Sequence, residues 1–133
     1  MSETPEDTTL AEAVDALADR FRSMPQSRLL GAVPGHPSRA AAGLALARRL
    51  AVAARAAEAA RPDGGAHAGE LPELPDAGAF AVGDQLAVVG HDLAAALAAL
   101  PGDAAVALAD GPVTAEAVRE RALGWLAETT AAV

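Results

Sequence analysis

The chain contains no cysteine, lysine, isoleucine, asparagine or tyrosine, and two of these absences exclude specific chemistry. Without cysteine there is no disulfide framework, thiolate nucleophile or cysteine-based zinc site. Without lysine, a phosphate-binding loop of the G-x-x-x-x-G-K-[ST] type cannot occur. The start, MSETPEDTT, lacks the basic and apolar regions of a secretory signal, and no apolar run approaches the ~18 residues of a membrane span. These features predict a cytoplasmic protein without membrane attachment.

Large apolar side chains are scarce. Leucine, valine and phenylalanine number 16, 10 and 2 in 133 residues, whereas alanine alone accounts for 38. A core built from so few large side chains is thin, but alanine is the best helix former and loses no side-chain entropy on ordering. We therefore expect a helical protein of modest stability that would gain from self-association.

Apolar residues recur at helical spacing in four segments, which predicts an all-α fold: a small bundle of four amphipathic, Ala-rich helices with Pro/Gly-rich connectors. The predicted helices span residues 9–22, 38–60, about 80 or 83 to 100, and 114–128. Thr9 and Glu12 fit a capping box, and Ser38 and Thr114 fit N-caps. The short apolar segment 104–109 fits either a helix or a strand.

The chain length is typical of one domain. We predict a flexible acidic tail at residues 1–8 and a single helical domain at 9–130. Within that domain, residues 62–79 form an acidic linker rich in proline and glycine.

Charge is segregated along the chain. Eight of the ten arginines lie between Arg20 and Arg61, where Glu58 is the only acid, whereas six acids precede this block and eleven follow it. Such segregation predicts either acidic segments that fold back over the basic one, or a basic face that binds an anionic partner. The sequence leaves open whether the 62–79 linker covers these arginines.

Five residues form the predicted interaction surface. Arg48, Arg49 and Arg55 lie away from the apolar face of their helix, where guanidinium groups can bind carboxylates or phosphates. Trp125 is either a core residue or an interface anchor, and Arg121, one turn earlier, is spaced to stack on it.

Polar residues that could support catalysis or metal binding do not cluster. His91 and Asp84 share a helix face but lie about 10 Å apart along the axis, and the residues four positions from His91 are alanines. We therefore predict no catalytic residue, no metal and no cofactor.

These observations predict a non-enzymatic helical interaction module, either a homodimer or an adaptor for a partner protein. The alternative is a small-molecule or anion binder that uses the arginine-rich segment 20–61 or a pocket around His91. Nucleic acid is an unfavoured partner, because the formal charge is −8 and no aromatic residues alternate with the arginines.

Overall fold

The computed structural model describes residues 8–62 and 73–133. The predicted tail, except Thr8, and residues 63–72 of the predicted linker lie outside these ranges. Within the described ranges the chain forms five α-helices, one 3-10 turn at Ala79–Ala81 and a two-stranded hairpin. In chain order, the helices and strands are α1 (Leu10–Arg22), α2 (Gln26–Leu29), α3 (Arg39–Ala59), α4 (Val82–Ala98), β1 (Ala105–Leu108), β2 (Gly111–Thr114) and α5 (Ala115–Ala132).

The fold is mainly helical as predicted, but it is not all-α: the segment 104–109, which fitted either a helix or a strand, contains the strand β1. β1 pairs antiparallel with β2 and places Val106 opposite Val113. Gly111 ends the tight turn between them with a φ of 122°, a value that a side chain would disfavour. A segment this short is a poor helix, whereas the hairpin buries Val106 completely and leaves its two alanine neighbours exposed. The chain is therefore mainly α-helical with a small two-stranded sheet.

The three predicted helix starts are confirmed. Thr9 Oγ1 accepts a hydrogen bond from the Glu12 backbone N–H, and the Glu12 carboxylate accepts one from the Thr9 backbone N–H. Ser38 and Thr114 cap α3 and α5 in the same way, each accepting from the backbone N–H three residues later. α5 continues past its predicted end at residue 128. Local capping chemistry thus sets where the long helices begin.

Acidification is expected to weaken the capping box of α1. The hydrogen bond from the Thr9 backbone N–H lowers the pKa of Glu12 below its ordinary value of 4.5. Because this pKa is lower in the folded chain than in the unfolded one, the ionised carboxylate stabilises the fold above pH 4.5. That contribution is lost as the pH falls through the folded-state pKa. Carbon-13 NMR of the Glu12 carboxyl measures this pKa, with Glu12→Gln to assign the signal, and a value of 4.5 or higher would contradict the capping geometry.

Glycines allow α1, α3 and α4 to approach closely. A Cβ atom on Gly90 of α4 would lie 2.5 Å from a methyl carbon of Val14 on α1. A Cβ on Gly43 of α3 would lie 2.7 Å from the ring of Phe21. Gly83 and Gly90 of α4 are therefore covered by α1 of the same chain, and they are not available to a second copy.

α3 lies at the centre of the fold. It packs mainly against α4 and also contacts α5 and β1. Alanines and leucines bury most of its circumference, and Leu50 and Ala47 are completely inaccessible. The stripe that stays accessible includes Ala45, Arg49 and Val52, which recur at helical spacing, and of these Ala45 and Arg49 lie beside α5.

Candidate interaction surface

Arg22, in the basic block, folds against acids of the same chain. Arg22 Nε donates to Asp84 Oδ1 at 2.9 Å, and Arg22 Nη1 donates to Asp19 Oδ1 at 3.1 Å. The hydrogen bond to Asp84, followed by that to Asp19, raises the pKa of Arg22. These contacts link α1 to α4 and neutralise Arg22 within the fold.

Two further arginines converge on the last turn of α5. Arg28 Nη2 and Arg39 Nε each donate to the backbone oxygen of Val133 at 3.2 Å. Arg39 Nη1 also donates to the backbone oxygen of Arg28 at 3.3 Å. Both guanidinium groups therefore hold together the α2–α3 connection and the end of α5.

Arg48 contacts the described part of the predicted linker. Its Nε donates to the backbone oxygen of Leu74 at 2.9 Å and lies 3.4 Å from Glu73 Oε1. On α4, Gln85 Nε2 donates to the backbone oxygen of Pro75 at 2.8 Å. The linker therefore lies along α3 and α4 at this point, and it covers the charge of Arg48.

Arg49 lies on the other side of α3 and stacks on Trp125 of α5. The guanidinium carbon is 5.1 Å from the centroid of the Trp125 ring, within the range of a cation–π interaction. The predicted stacking of Arg121 on Trp125 does not occur. Arg121 Nη1 instead donates to Asp110 Oδ2 at 3.1 Å, because the turn of the hairpin brings this carboxylate close to α5. Trp125 is partly buried, so its exposure lies between that of a core residue and that of a fully exposed side chain.

A groove of about 250 Å³ runs beside the Arg49–Trp125 stack, between α3 and α5. Leu46 lies in its apolar lining, and Glu128 is on the α5 wall. One turn beyond Arg49, Val52 is 62% exposed. We call Arg49, Val52, Trp125 and Glu128 the α3–α5 surface.

The structure brings together only two of the five predicted surface residues, Arg49 and Trp125. Arg48 contacts the linker, Arg55 lies six residues further along α3 than Arg49, and Arg121 turns toward the hairpin. Val52 and Glu128 were not among the residues predicted for this surface. Their signal was their spacing, because each lies three residues after a predicted surface residue on the same helix.

A second cleft, of about 430 Å³, lies where the start of α1, the end of α4 and the start of α5 meet. Its lining includes the apolar side chains of Leu10, Leu97 and Leu100. The charged residues in the lining, Glu116 and Arg119, pair with each other at 3.0 Å. Their charges are therefore directed at one another and not at the cleft.

His91 lies on the outer side of the α1–α4 contact. Its Nε2 is 2.7 Å from Asp15 Oδ1, and both side chains are half-exposed. Neither the groove nor the cleft described above is lined by His91. In residues 8–62 and 73–133, no group of three or more histidines and acids is placed to hold a metal ion. The geometry of His91 is that of an exposed pair between two helices.

Comparison of the chain with models of known protein families, with curated proteins and with solved structures finds no match. Across the described residues, no helix is long and apolar enough to cross a membrane. The α3–α5 surface is therefore interpreted from its own chemistry.

Proposed function

We propose that this chain is a non-enzymatic helical interaction module that binds a protein partner through the α3–α5 surface. The observation that carries the proposal is the Arg49–Trp125 stack, which borders a groove and lies next to the exposed side chain of Val52. Tryptophan and arginine are enriched among the residues that dominate binding energy at protein interfaces. A stacked pair is also partly ordered before binding, which reduces the entropy lost when a partner docks.

The partners of the other arginines favour a protein over a free anion. Arg22 and Arg48 contact carboxylates of their own chain, and Arg28 and Arg39 donate to a backbone oxygen. An anion at any of these positions would have to displace an existing acceptor. Arg49 differs, because its guanidinium lies on an aromatic face and keeps its N–H donors available at the edge of the groove.

A photo-crosslinking amino acid at position 52 tests this proposal. The full-length chain carrying benzoylphenylalanine in place of Val52 is irradiated in an extract of the cells that naturally make it. We expect a covalent adduct with a protein, and we expect it to weaken when Arg49→Ala or Trp125→Ala is added. Helical circular dichroism verifies that each variant remains folded, because Trp125→Ala removes the only tryptophan of the chain.

The matched control places the same amino acid at Val88 of α4, which is 61% exposed and lies outside the α3–α5 surface. We expect little adduct there. Equal labelling at positions 52 and 88, or an adduct at 52 that survives both added substitutions, would contradict the proposed function.

A further inference from the structure

We propose that the protein bound at the α3–α5 surface is a second copy of this chain, related to the first by a two-fold axis that passes between Arg49 and Glu128. This inference rests on the proposed function, since it names the partner of the same surface. Two observations carry it: charges that complement themselves across a two-fold axis, and a pair of helices long enough to form an interface.

The charges on this surface are opposite and unpaired. Arg49 and Glu128 line the same groove from α3 and α5. Within the described part of the chain, Glu128 makes no hydrogen bond or ion pair, and Arg49 contacts only the ring of Trp125. Arg22 and Arg121, in contrast, each pair with a carboxylate of their own chain. The α3–α5 surface therefore presents one cation and one anion to a partner.

A two-fold axis satisfies both charges at once. In an isologous interface, if residue i of one copy contacts residue j of the other, then j also contacts i. An axis between Arg49 and Glu128 places Arg49 of each copy opposite Glu128 of the other. Local pairing of this kind is required, because a formal charge of −8 makes two copies repel each other at long range.

The two helices that carry the surface offer an area close to what a dimer needs. α3 spans Arg39–Ala59, which at 1.5 Å per residue is about 31 Å long. α5 lies beside it, and with ~10 Å of width for each helix the two together cover an area on the order of 600 Å². This area treats the surface as flat and leaves out the relief of the side chains. Stable interfaces bury about 800 Å² on each partner. Exposed Ala45 and Ala132 allow close approach of the two backbones, and Val52 and Trp125 supply the larger apolar contacts.

The test is sedimentation of the full-length chain and two charge-reversed variants, from micromolar to millimolar concentration. We expect a reversible dimer for the wild type. Arg49→Glu and Glu128→Arg should each raise the dissociation constant at least ~10-fold, because like charges then meet at both symmetry-related contacts.

Mixing the two variants is the decisive step. In the mixed dimer, one chain contributes acids at both positions and the other contributes arginines at both, so two opposite-charge pairs form. We expect the equimolar mixture to associate with close to wild-type affinity, although each variant alone does not. Only a contact between two chains produces this result, since contacts within one chain are unchanged by mixing.

Two control variants make the same charge changes elsewhere. Arg20→Glu on α1 and Asp92→Arg on α4 alter exposed residues outside the surface and should leave the dissociation constant within about twofold of wild type. Helical circular dichroism and Trp125 emission show that each variant is folded.

Three outcomes would overturn the inference: a wild-type monomer at every concentration, a dimer that both charge reversals leave intact, or a mixture that stays monomeric. The crosslinking experiment separates this failure from failure of the proposed function. A monomer that forms a position-52 adduct with a different protein overturns self-association and retains the interaction module. A monomer that forms no such adduct overturns both.

Discussion

Leu86→Ala is expected to lower the free energy of unfolding by about 2–5 kcal/mol, the range measured for truncating a buried leucine. Leu86 is 0% exposed and lies on α4, the helix that packs on both α3 and α1. The loss has two parts: the transfer energy of the removed carbons and the cavity that remains. Because alanine fills much of the surrounding core, few large side chains can move in to close that cavity.

Val88→Ala is the matched control for this prediction. It also truncates an apolar side chain of α4, two residues away, but Val88 is 61% exposed. We expect a change within about 0.5 kcal/mol, since little apolar surface is lost and alanine has the higher helix propensity. Urea unfolding followed by circular dichroism at 222 nm compares the two variants. A Leu86→Ala chain as stable as Val88→Ala would mean that the core of α4 is not packed as described.

The starts of the long helices could be predicted because the chemistry that sets them is local. The side chains of Thr9, Ser38 and Thr114 each accept a hydrogen bond from a backbone N–H three residues later, so the signal lies within a few positions of sequence. The hairpin could not be predicted in the same way. Two of the four residues of strand β1 are alanines, which carry little strand signal. Its pairing depends on β2 and on burial of Val106 against the rest of the fold.

Some residues of the candidate surface were named from the sequence, but the contacts between them depend on how the helices pack. Helical spacing singled out Arg49 and Trp125 separately and suggested Arg121, one turn before Trp125, as the stacking partner. The structure instead joins Trp125 to Arg49 across the α3–α5 contact, while Asp110 of the hairpin turn binds Arg121. Periodicity shows which residues share a face of one helix, but it does not show which two faces meet.

Charge segregation predicted either acids that fold onto the basic segment or a basic face for an anionic partner, and the described residues show the first of these at two arginines. Asp19 and Asp84 fold onto Arg22, and Glu73 lies against Arg48. Arg49 has no carboxylate partner in the described ranges and lies at a groove. Net charge along the sequence therefore indicated that acids and arginines would pair. It could not show that Arg48 meets an acid while Arg49 does not, because that depends on the directions in which the two side chains leave α3.

Gly90→Ala is expected to lower the free energy of unfolding by about 1–3 kcal/mol, although it replaces glycine by the best helix former. The new Cβ would lie 2.5 and 2.6 Å from the two methyl carbons of Val14 and 3.1 Å from its Cβ. Valine is stiff at χ1 and Val14 is fully buried, so its side chain has nowhere to turn. Either α1 moves away from α4 or the overlap is relieved at the expense of other contacts in the core.

Gly124→Ala separates overpacking from helix propensity, because a Cβ at Gly124 of α5 meets nothing within 4 Å. There the same substitution should raise stability by up to about 1 kcal/mol. Adding Val14→Ala to Gly90→Ala should recover part of the loss, with a coupling of about 0.5–3 kcal/mol in urea unfolding. Gly83→Ala should not be rescued in this way, since its Cβ would lie 2.9 Å from the backbone oxygen of Ala18, which no truncation removes. If Gly90→Ala and Gly124→Ala stabilise the chain equally, the close approach of α1 and α4 is incorrect.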